Sequence, residues 1–283
     1  MENKRIQLFT YCNDYFNIHH SISENYEDPY TKLHMHTIHE LYLFIDGDVE
    51  FNIAGNKYML EPGMVMLMRP GEAHSLNILS EHKYERISIH FDKSYFENNY
   101  GVCRILDLLS DKSRHSLCVF ELNKSDSIVE KLFHEITDTS HSNNKDKLTA
   151  VTTNLPALLY HLYAEATKKV PVSGKAVDTL VQQIINYIDN NLYTNWTLDD
   201  IADALYRDKA YLNRKFKQVI GTGIWDYTIR KRIIGLKQKM HSFSSVNEAY
   251  KSSGFTDYST FFRNYVKITG NPPSYDLHRQ ARP

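Results

Sequence analysis

Three residues with strong ligating chemistry fall close together in His34-x-His36-x-x-x-Glu40, and a fourth, His74, ends the run Pro70-Gly71-Glu72-Ala73-His74. His34, His36 and Glu40 share parity, so on a regular strand all three would face one side. Three imidazoles and one carboxylate suit a divalent transition metal. The same residues, joined by Tyr42 and Arg69, also suit a hydroxylated small molecule such as a sugar, which takes many hydrogen bonds and an aromatic platform. The reading adopted is the second: a ligand site of His34, His36, Glu40, Tyr42, Arg69 and His74, with no metal and no cofactor. The alternative keeps His34, His36, Glu40 and His74 as metal ligands.

A different chemistry is written into the carboxy-terminal part. Two stretches have the form of a supporting helix, a tight turn and a second helix with outward polar and basic side chains, the arrangement that reads base edges in a major groove. In the first, Leu198 to Leu205 supports and Lys209 to Ile220 reads, with Thr197 and Asp200 as a capping box, Asp208 as the next cap and Gly221 as the stop. Tyr211, Leu212, Phe216 and Val219 are expected inside, and Ala210, Asn213, Arg214 and Lys217 outside. In the second, Ser245 to Ser253 supports, Gly254-Phe255 turns, and a helix from Thr256 or Asp257 to Ile268 reads. There Phe261, Tyr265 and Ile268 are core candidates, while Tyr258, Ser259, Phe262 and Arg263 point outward. An exposed Phe262 suits contact with a thymine methyl group. One amphipathic helix, Ile224 to His241, about 27 Å long at ~1.5 Å per residue, would hold the two readers near successive major grooves.

These sites need elements to hold them. From Phe9 to Phe91 short aromatic and β-branched runs, such as Leu41 to Ile45, Val49 to Ile53, Val65 to Leu67 and Arg86 to Phe91, alternate with turns at Asp46-Gly47-Asp48, Ala54-Gly55-Asn56, Glu61-Pro62-Gly63 and Arg69-Pro70-Gly71. That is the pattern of a small antiparallel barrel. Met64, Met66 and Met68 read as core filler within it. Two helices follow, Ser125 to Ser140 and Lys145 to Lys169, the second containing Pro156. Its apolar stripe of Leu148, Val151, Leu155, Leu158, Leu159 and Leu162 is wider than one short partner helix needs and predicts a homodimer seam. Pro171-Val172-Ser173-Gly174 reads as the interdomain linker, and everything beyond it as helices. The fold class is therefore multidomain α+β: a cupin-like sensing barrel over 1–110, a helical dimerisation segment over 111–170, and an all-α DNA-binding domain over 171–283.

The run from Asp208 to Lys217 followed by Gly221, the run from Gly254 to Arg263, and Tyr227 with Arg232-Ile233 in the linking helix resemble the AraC family of transcription regulators over residues 176 to 277. Tyr250 stands where that family usually has alanine, Val266 where it usually has lysine, and Pro273-Ser274-Tyr275-Asp276 lacks the usual tyrosine-arginine close. The histidine-containing runs, with six residues between Glu40 and Gly47, resemble the two cupin motifs, the second departing by one residue. The resemblance implies sequence-specific binding of one chain to two adjacent segments of a double-stranded DNA operator. It also implies a small-molecule effector, homodimerisation and work with RNA polymerase, as an activator rather than an enzyme.

Bulk properties agree with that division. The 283 residues carry a net charge of −1. Residues 1 to 170 hold 17 Lys and Arg against 24 Asp and Glu, and residues 171 to 283 hold 16 against 10. Only the second half is basic, as expected if it alone meets a polyanion. No nucleophile with an adjacent base and no phosphate-cradling glycine loop appears, so an enzymatic reading rests on the cupin-like residues alone. A constitutive regulator whose barrel only dimerises is the other alternative. Cys12, Cys103 and Cys118 lack metal or redox spacing and read as reduced, buried thiols of a cytoplasmic protein, and no segment has the apolar length of a membrane span.

Overall fold

The structure, a computed structural model, describes residues 5–23, 33–110, 119–122, 127–140, 143–167, 175–176 and 178–278. The expected linker 171–174 and Cys118 lie outside these residues. The amino-terminal part forms two antiparallel sheets facing each other, not the closed barrel expected. Strands β1 (Arg5–Cys12), β2 (Phe16–Ser23), β3 (His39–Asp46), β6 (Met64–Met68), β8 (Tyr84–Phe91) and β9 (Val119–Glu121) make one sheet in the order β1-β2-β8-β3-β6-β9. The other, in the order β10-β5-β4-β7, contains β4 (Val49–Ile53), β5 (Asn56–Met59), β7 (His74–Ile78) and the two-residue β10 (Lys175–Ala176).

Strict alternation along the large sheet separates two cores. Leu41, Leu43, Val65, Leu67, Ile87, Ile89 and Phe91 face outward, under three helices: α1 (Tyr100–Ser110), α2 (Ile128–Ile136) and α3 (Asn144–Ala166). Tyr42, Phe44, Met64, Met66 and Met68 face inward against Phe51, Ile53 and Leu76 of the small sheet, so the three methionines are core filler. The helical stripe has its partner within the chain. Val151, Leu155, Leu158, Leu159 and Leu162 are all 0% exposed, packed on the sheet with α1 and α2. The seam expected to join two copies is consumed by this chain's own core, where each leucine contributes roughly 1.5–3 kcal/mol. Cys12 is exposed, contrary to the buried thiol expected.

The remaining helices are α4 (Thr179–Asn190), α5 (Leu198–Ala204), α6 (Lys209–Ile220), α7 (Ile224–Lys237), α8 (Val246–Lys251), α9 (Tyr258–Thr269) and α10 (Pro273–Leu277). Helices α4 to α6 and the start of α7 enclose one core, around Ile184, Ile201, Leu212, Phe216 and Tyr227. The far end of α7 with α8 to α10 encloses another, around Ile233, Leu236, Phe261 and Tyr265. Each helix-turn-helix unit thus has its own interior, and α7 belongs to both. It is shorter than the sequence suggested, ending at Lys237 and giving way to a 3-10 turn over Met240–Ser242.

Candidate functional site

The caps that start the reading helices follow from short polar side chains. Thr197 and Asp200 form a reciprocal capping box on α5, Asp208 accepts from the Tyr211 N–H at the start of α6, and Asp257 accepts from Thr260 N–H at the start of α9. Gly221 (φ 82°) and Gly270 (φ 78°) close the two readers in the left-handed conformation. Of the expected DNA-facing residues, Ala210, Arg214 and Lys217 on α6 are exposed, as are Tyr258 (43%), Ser259, Phe262 (39%) and Arg263 on α9. Asn213, also expected to face DNA, has its side-chain oxygen engaged within the fold. It is half-buried, and its Oδ1 accepts the Ile224 N–H at 3.0 Å. Gly223, at the cap position of α7, has no side chain to do this, and Asn213 supplies the missing cap from the neighbouring helix. Tyr211 departs the other way: 39% exposed rather than inside, with the Arg214 guanidinium 5.7 Å from its ring centre. Tyr250 packs edge-on against Tyr258, ring centres 5.3 Å apart, filling the space a smaller residue would leave.

The cluster in the sensing half is assembled without the regular strand that parity assumed. His34 makes an isolated bridge with His74, residues 35–38 are irregular, and β3 begins only at His39. Glu40 enters from β3, His74 from β7, and a fourth imidazole, His90, comes from β8, where it sits directly opposite Glu40. Glu40 Oε2 lies 3.1 Å from His36 Nε2, 3.2 Å from His74 Nε2 and 3.4 Å from His90 Nε2. His36 and His90 meet Nε2 to Nε2 at 3.3 Å. The His34 ring centre is 4.2 Å from that of His74 and 4.9 Å from that of His36. Arg5, Tyr42, Phe51, Ser75, Leu76, Arg86 and Ser88 also line the space, whose free volume is about 30 Å³. That holds one or two waters or an ion, and not a sugar ring.

Charge in the cluster is strongly coupled. Burial pushes the Glu40 carboxyl up, but the facing His90 charge and hydrogen bonds from His36, His74 and His90 outweigh it and hold it well below the usual carboxylate range. Burial pulls His90 down, while Glu40 and the Asn17 carbonyl more than reverse this. His36, more weakly compensated, is lowered by burial.

Arg69 is not part of the cluster. It follows β6 with the parity of Val65 and Leu67, so its guanidinium runs to the helix side, donating to the Leu109 carbonyl at 3.2 Å and pairing with Glu72 at 3.3 Å. His90, Arg86 and Ser88 were missed in the sequence. Their signal is a polar residue at every second position of an otherwise apolar strand.

The cluster sits on the seam with the DNA-binding half. Leu33 and Met35, flanking His34, pack on the core of the first helix-turn-helix unit, and Ala73, beside His74, is buried in it. The Thr37 carbonyl accepts from Gln238 Nε2 at 2.7 Å. A side chain at Gly71 would meet Ile234 of α7, and one at Gly221 would meet Leu33.

Comparison with known proteins agrees with both halves. Residues 21–117 match the AraC-like ligand binding domain and residues 201–278 match a helix-turn-helix domain, together more than half of the chain. A lactose operon transcription activator from Staphylococcus xylosus is 20% identical over 228 residues, 80% of this chain and 79% of that protein. The transcriptional regulatory protein HptR of Staphylococcus aureus is 30% identical over 105 residues, 37% of this chain and only 41% of its own length. Among solved structures, apo ToxT from Vibrio cholerae covers 94% of this chain and 97% of its own at 13% identity, with a TM-score of 0.42. Among the described residues no helix is long and apolar enough to cross a membrane. With a ligand-binding domain ahead of a helix-turn-helix domain, the chain belongs to the AraC family of DNA-binding transcription regulators, which are not enzymes.

Proposed function

We propose that the chain is a cytoplasmic, sequence-specific activator that lays α6 and α9 into successive major-groove segments of a double-stranded operator. The observation that carries this is a pair of capped twelve-residue helices, each with an exposed basic and aromatic face, fixed to one shared helix. Ala210, Arg214 and Lys217 act from the first reader, and Tyr258, Ser259, Phe262 and Arg263 from the second. Selection of duplexes from a random pool tests it: two recognised segments about one helical turn apart are expected, and a single short segment would refute it.

The domain roles proposed are sensing over 1–110, helical support over 111–170 and DNA binding over 171–283. The effector is a small hydroxylated molecule such as a sugar, supported by the polar lining of His34, Glu40, Tyr42 and His74, with His36 paired to Glu40 behind it, and by the lactose operon named for one relative. The free space of about 30 Å³ is too small for such a ligand, so its entry must move part of the lining; His34 lies in the irregular stretch that also contacts the DNA-binding half, which would tie entry to that half. A calorimetric screen of sugars against the full chain should give a saturable heat for one of them; none would refute the sugar reading. A homodimer serves paired half-sites and brings two activators to RNA polymerase. With the leucine stripe consumed, its contact falls elsewhere, and a monomer by sedimentation at micromolar concentration, on DNA and off it, would refute it.

A further inference from the structure

A cleft of about 520 Å³ opens between the two helix-turn-helix units, far larger than the space among the histidines and within the range of sites for small organic ligands. Trp196, Leu198, Trp225, Ile229 and Phe255 give it apolar, mainly aromatic walls. Trp196 and Trp225 meet edge to face, ring centres 5.6 Å apart. Lys209, the first residue of α6, and Asp257, the cap of α9, stand at its exposed rim. The cleft therefore lies between the first turns of both reading helices.

Two groups deep in the cleft still call for an acceptor. The Arg232 guanidinium, 1% exposed, has five N–H donors and gives three of them to the carbonyls of Leu192, Thr194 and Gly254. Those carbonyls are neutral, and among the described residues no carboxylate pairs with its charge. Trp196 is 4% exposed, and its Nε1 is buried with no hydrogen-bond partner among the described residues. A buried cation and a buried N–H are both satisfied by an anionic acceptor. The acids at the rim are engaged elsewhere: Asp199 pairs with Lys209 at 2.7 Å, and Asp257 accepts from the Thr260 N–H at 2.6 Å. Rim carboxylates repel the phosphates of a duplex, and Arg232 and Trp196 lie too deep for its backbone to reach. Aromatic walls are suited instead to stacking a flat ring.

We propose that this cleft is a second small-molecule site that binds a flat aromatic carboxylate, its ring against Trp225 and Phe255 and its carboxylate on Arg232 and Trp196 Nε1. The guanidinium carbon is 5.4 Å from the Trp225 ring centre and 5.9 Å from that of Phe255, so an acid held there keeps its ring within reach of both. Nε1 is closed to water, and Trp225, 40% exposed, is the neighbouring ring with room to turn aside for the acceptor. A bound acid also opposes operator binding, a clause that rests on the DNA-binding reading while the site itself does not. It places negative charge between the first turns of both readers, where the phosphates of a duplex spanning them pass. Acid and duplex affinities are then linked reciprocally.

The chain has two tryptophans, so the full chain, isotope-labelled at nitrogen, gives two indole N–H resonances, and Trp225→Phe identifies that of Trp196. Benzoate, cinnamate and indole-3-carboxylate are titrated, each beside its neutral amide. At least one acid should move the Trp196 resonance saturably, downfield as the N–H gains an acceptor, and its amide should bind about 10-fold more weakly or worse. Trp196→Phe removes the donor, and Thr256→Trp fills the cleft from its exposed rim. Both, checked for folding by circular dichroism, should weaken that acid about 10-fold or more by calorimetry. No acid moving the resonance, an amide binding as well as its acid, or undiminished binding in both variants overturns the site. A resonance moved by duplex and by none of the acids assigns the cleft to the DNA backbone and overturns it too. Affinity for a duplex selected from a random pool is then measured with and without saturating acid. A fall of about 5-fold or more is expected; equal affinity overturns the opposition to DNA while leaving the site standing. Failure to bind any duplex in either state refutes the DNA-binding reading instead.

Discussion

Replacing Arg232 should uncouple the two reading helices. It lies on α7, is 1% exposed, and spends its guanidinium on three backbone carbonyls: Leu192 through Nε at 2.7 Å, Thr194 through Nη2 at 2.7 Å and Gly254 through Nη1 at 2.6 Å. The first two lead into α5 and the third is the turn of the second unit, so one side chain ties both units to the shared helix. Three hydrogen bonds from a charged donor are worth about 1.5–3 kcal/mol each. Part of that sum is returned, because burial opposes the guanidinium charge and lowers its pKa, and because the freed carbonyls can meet water. A net loss of about 3–5 kcal/mol is expected for Arg232→Met, the range for removing one partner of a buried polar set. Arg232→Lys, which keeps charge and can reach one carbonyl, should lose roughly half as much. The assay is built in: both tryptophans, Trp196 and Trp225, are in this half, and Trp225 lies 5.4 Å from the guanidinium. Their fluorescence in urea should show the midpoint falling by about 2–3 M in Arg232→Met and about 1–2 M in Arg232→Lys, for a slope near 1.5 kcal/mol/M. A midpoint within about 0.3 M of wild type, on that same slope, would refute the reasoning.

Arg214→Ala and Arg263→Ala should each cost about 1–3 kcal/mol in operator affinity at matched salt and relax preference at one segment; unchanged affinity and preference in titrations of selected duplexes would remove them from the interface. Asn213→Ala should instead lower thermal stability by about 1 kcal/mol through the lost cap on α7, leaving base preference intact in the same duplex selection. Asp178 caps α4 and pairs with Lys215 at 2.8 Å, which together with the α4 N–H groups holds its carboxyl below the ordinary range. Its folded value is depressed, so its stabilisation is full above about pH 4 and is lost as pH falls through the folded value. The acid limb of the unfolding profile should therefore flatten in Asp178→Asn.

Much of the DNA-binding half was legible because its signals are local. Caps, stops and 3.6-residue periodicity decide a helix within a dozen residues, and Thr197, Asp208, Gly221 and Asp257 all do what their types require. Alternation likewise announced the strands and put Met64, Met66 and Met68 inside. What escaped was decided by who faces whom. Asn213 has the spacing of a base reader, but the Ile224 N–H that it caps lies eleven residues away and across a turn. The leucine stripe of α3 reads the same whether its partner is a second chain or the chain's own sheet, and only packing assigns it to the sheet. Arg69 sits near the histidines in sequence, yet strand parity sends it to the opposite face; His90, fifty residues from Glu40, is its direct neighbour across the sheet. The sequence by itself determined which residues could start, stop and line each element, because those choices are made by neighbours along the chain. Only the tertiary structure decided which histidines converge, which stripe is spent and which surface joins the halves, because pairing across a sheet and packing between domains depend on residues far apart in the chain.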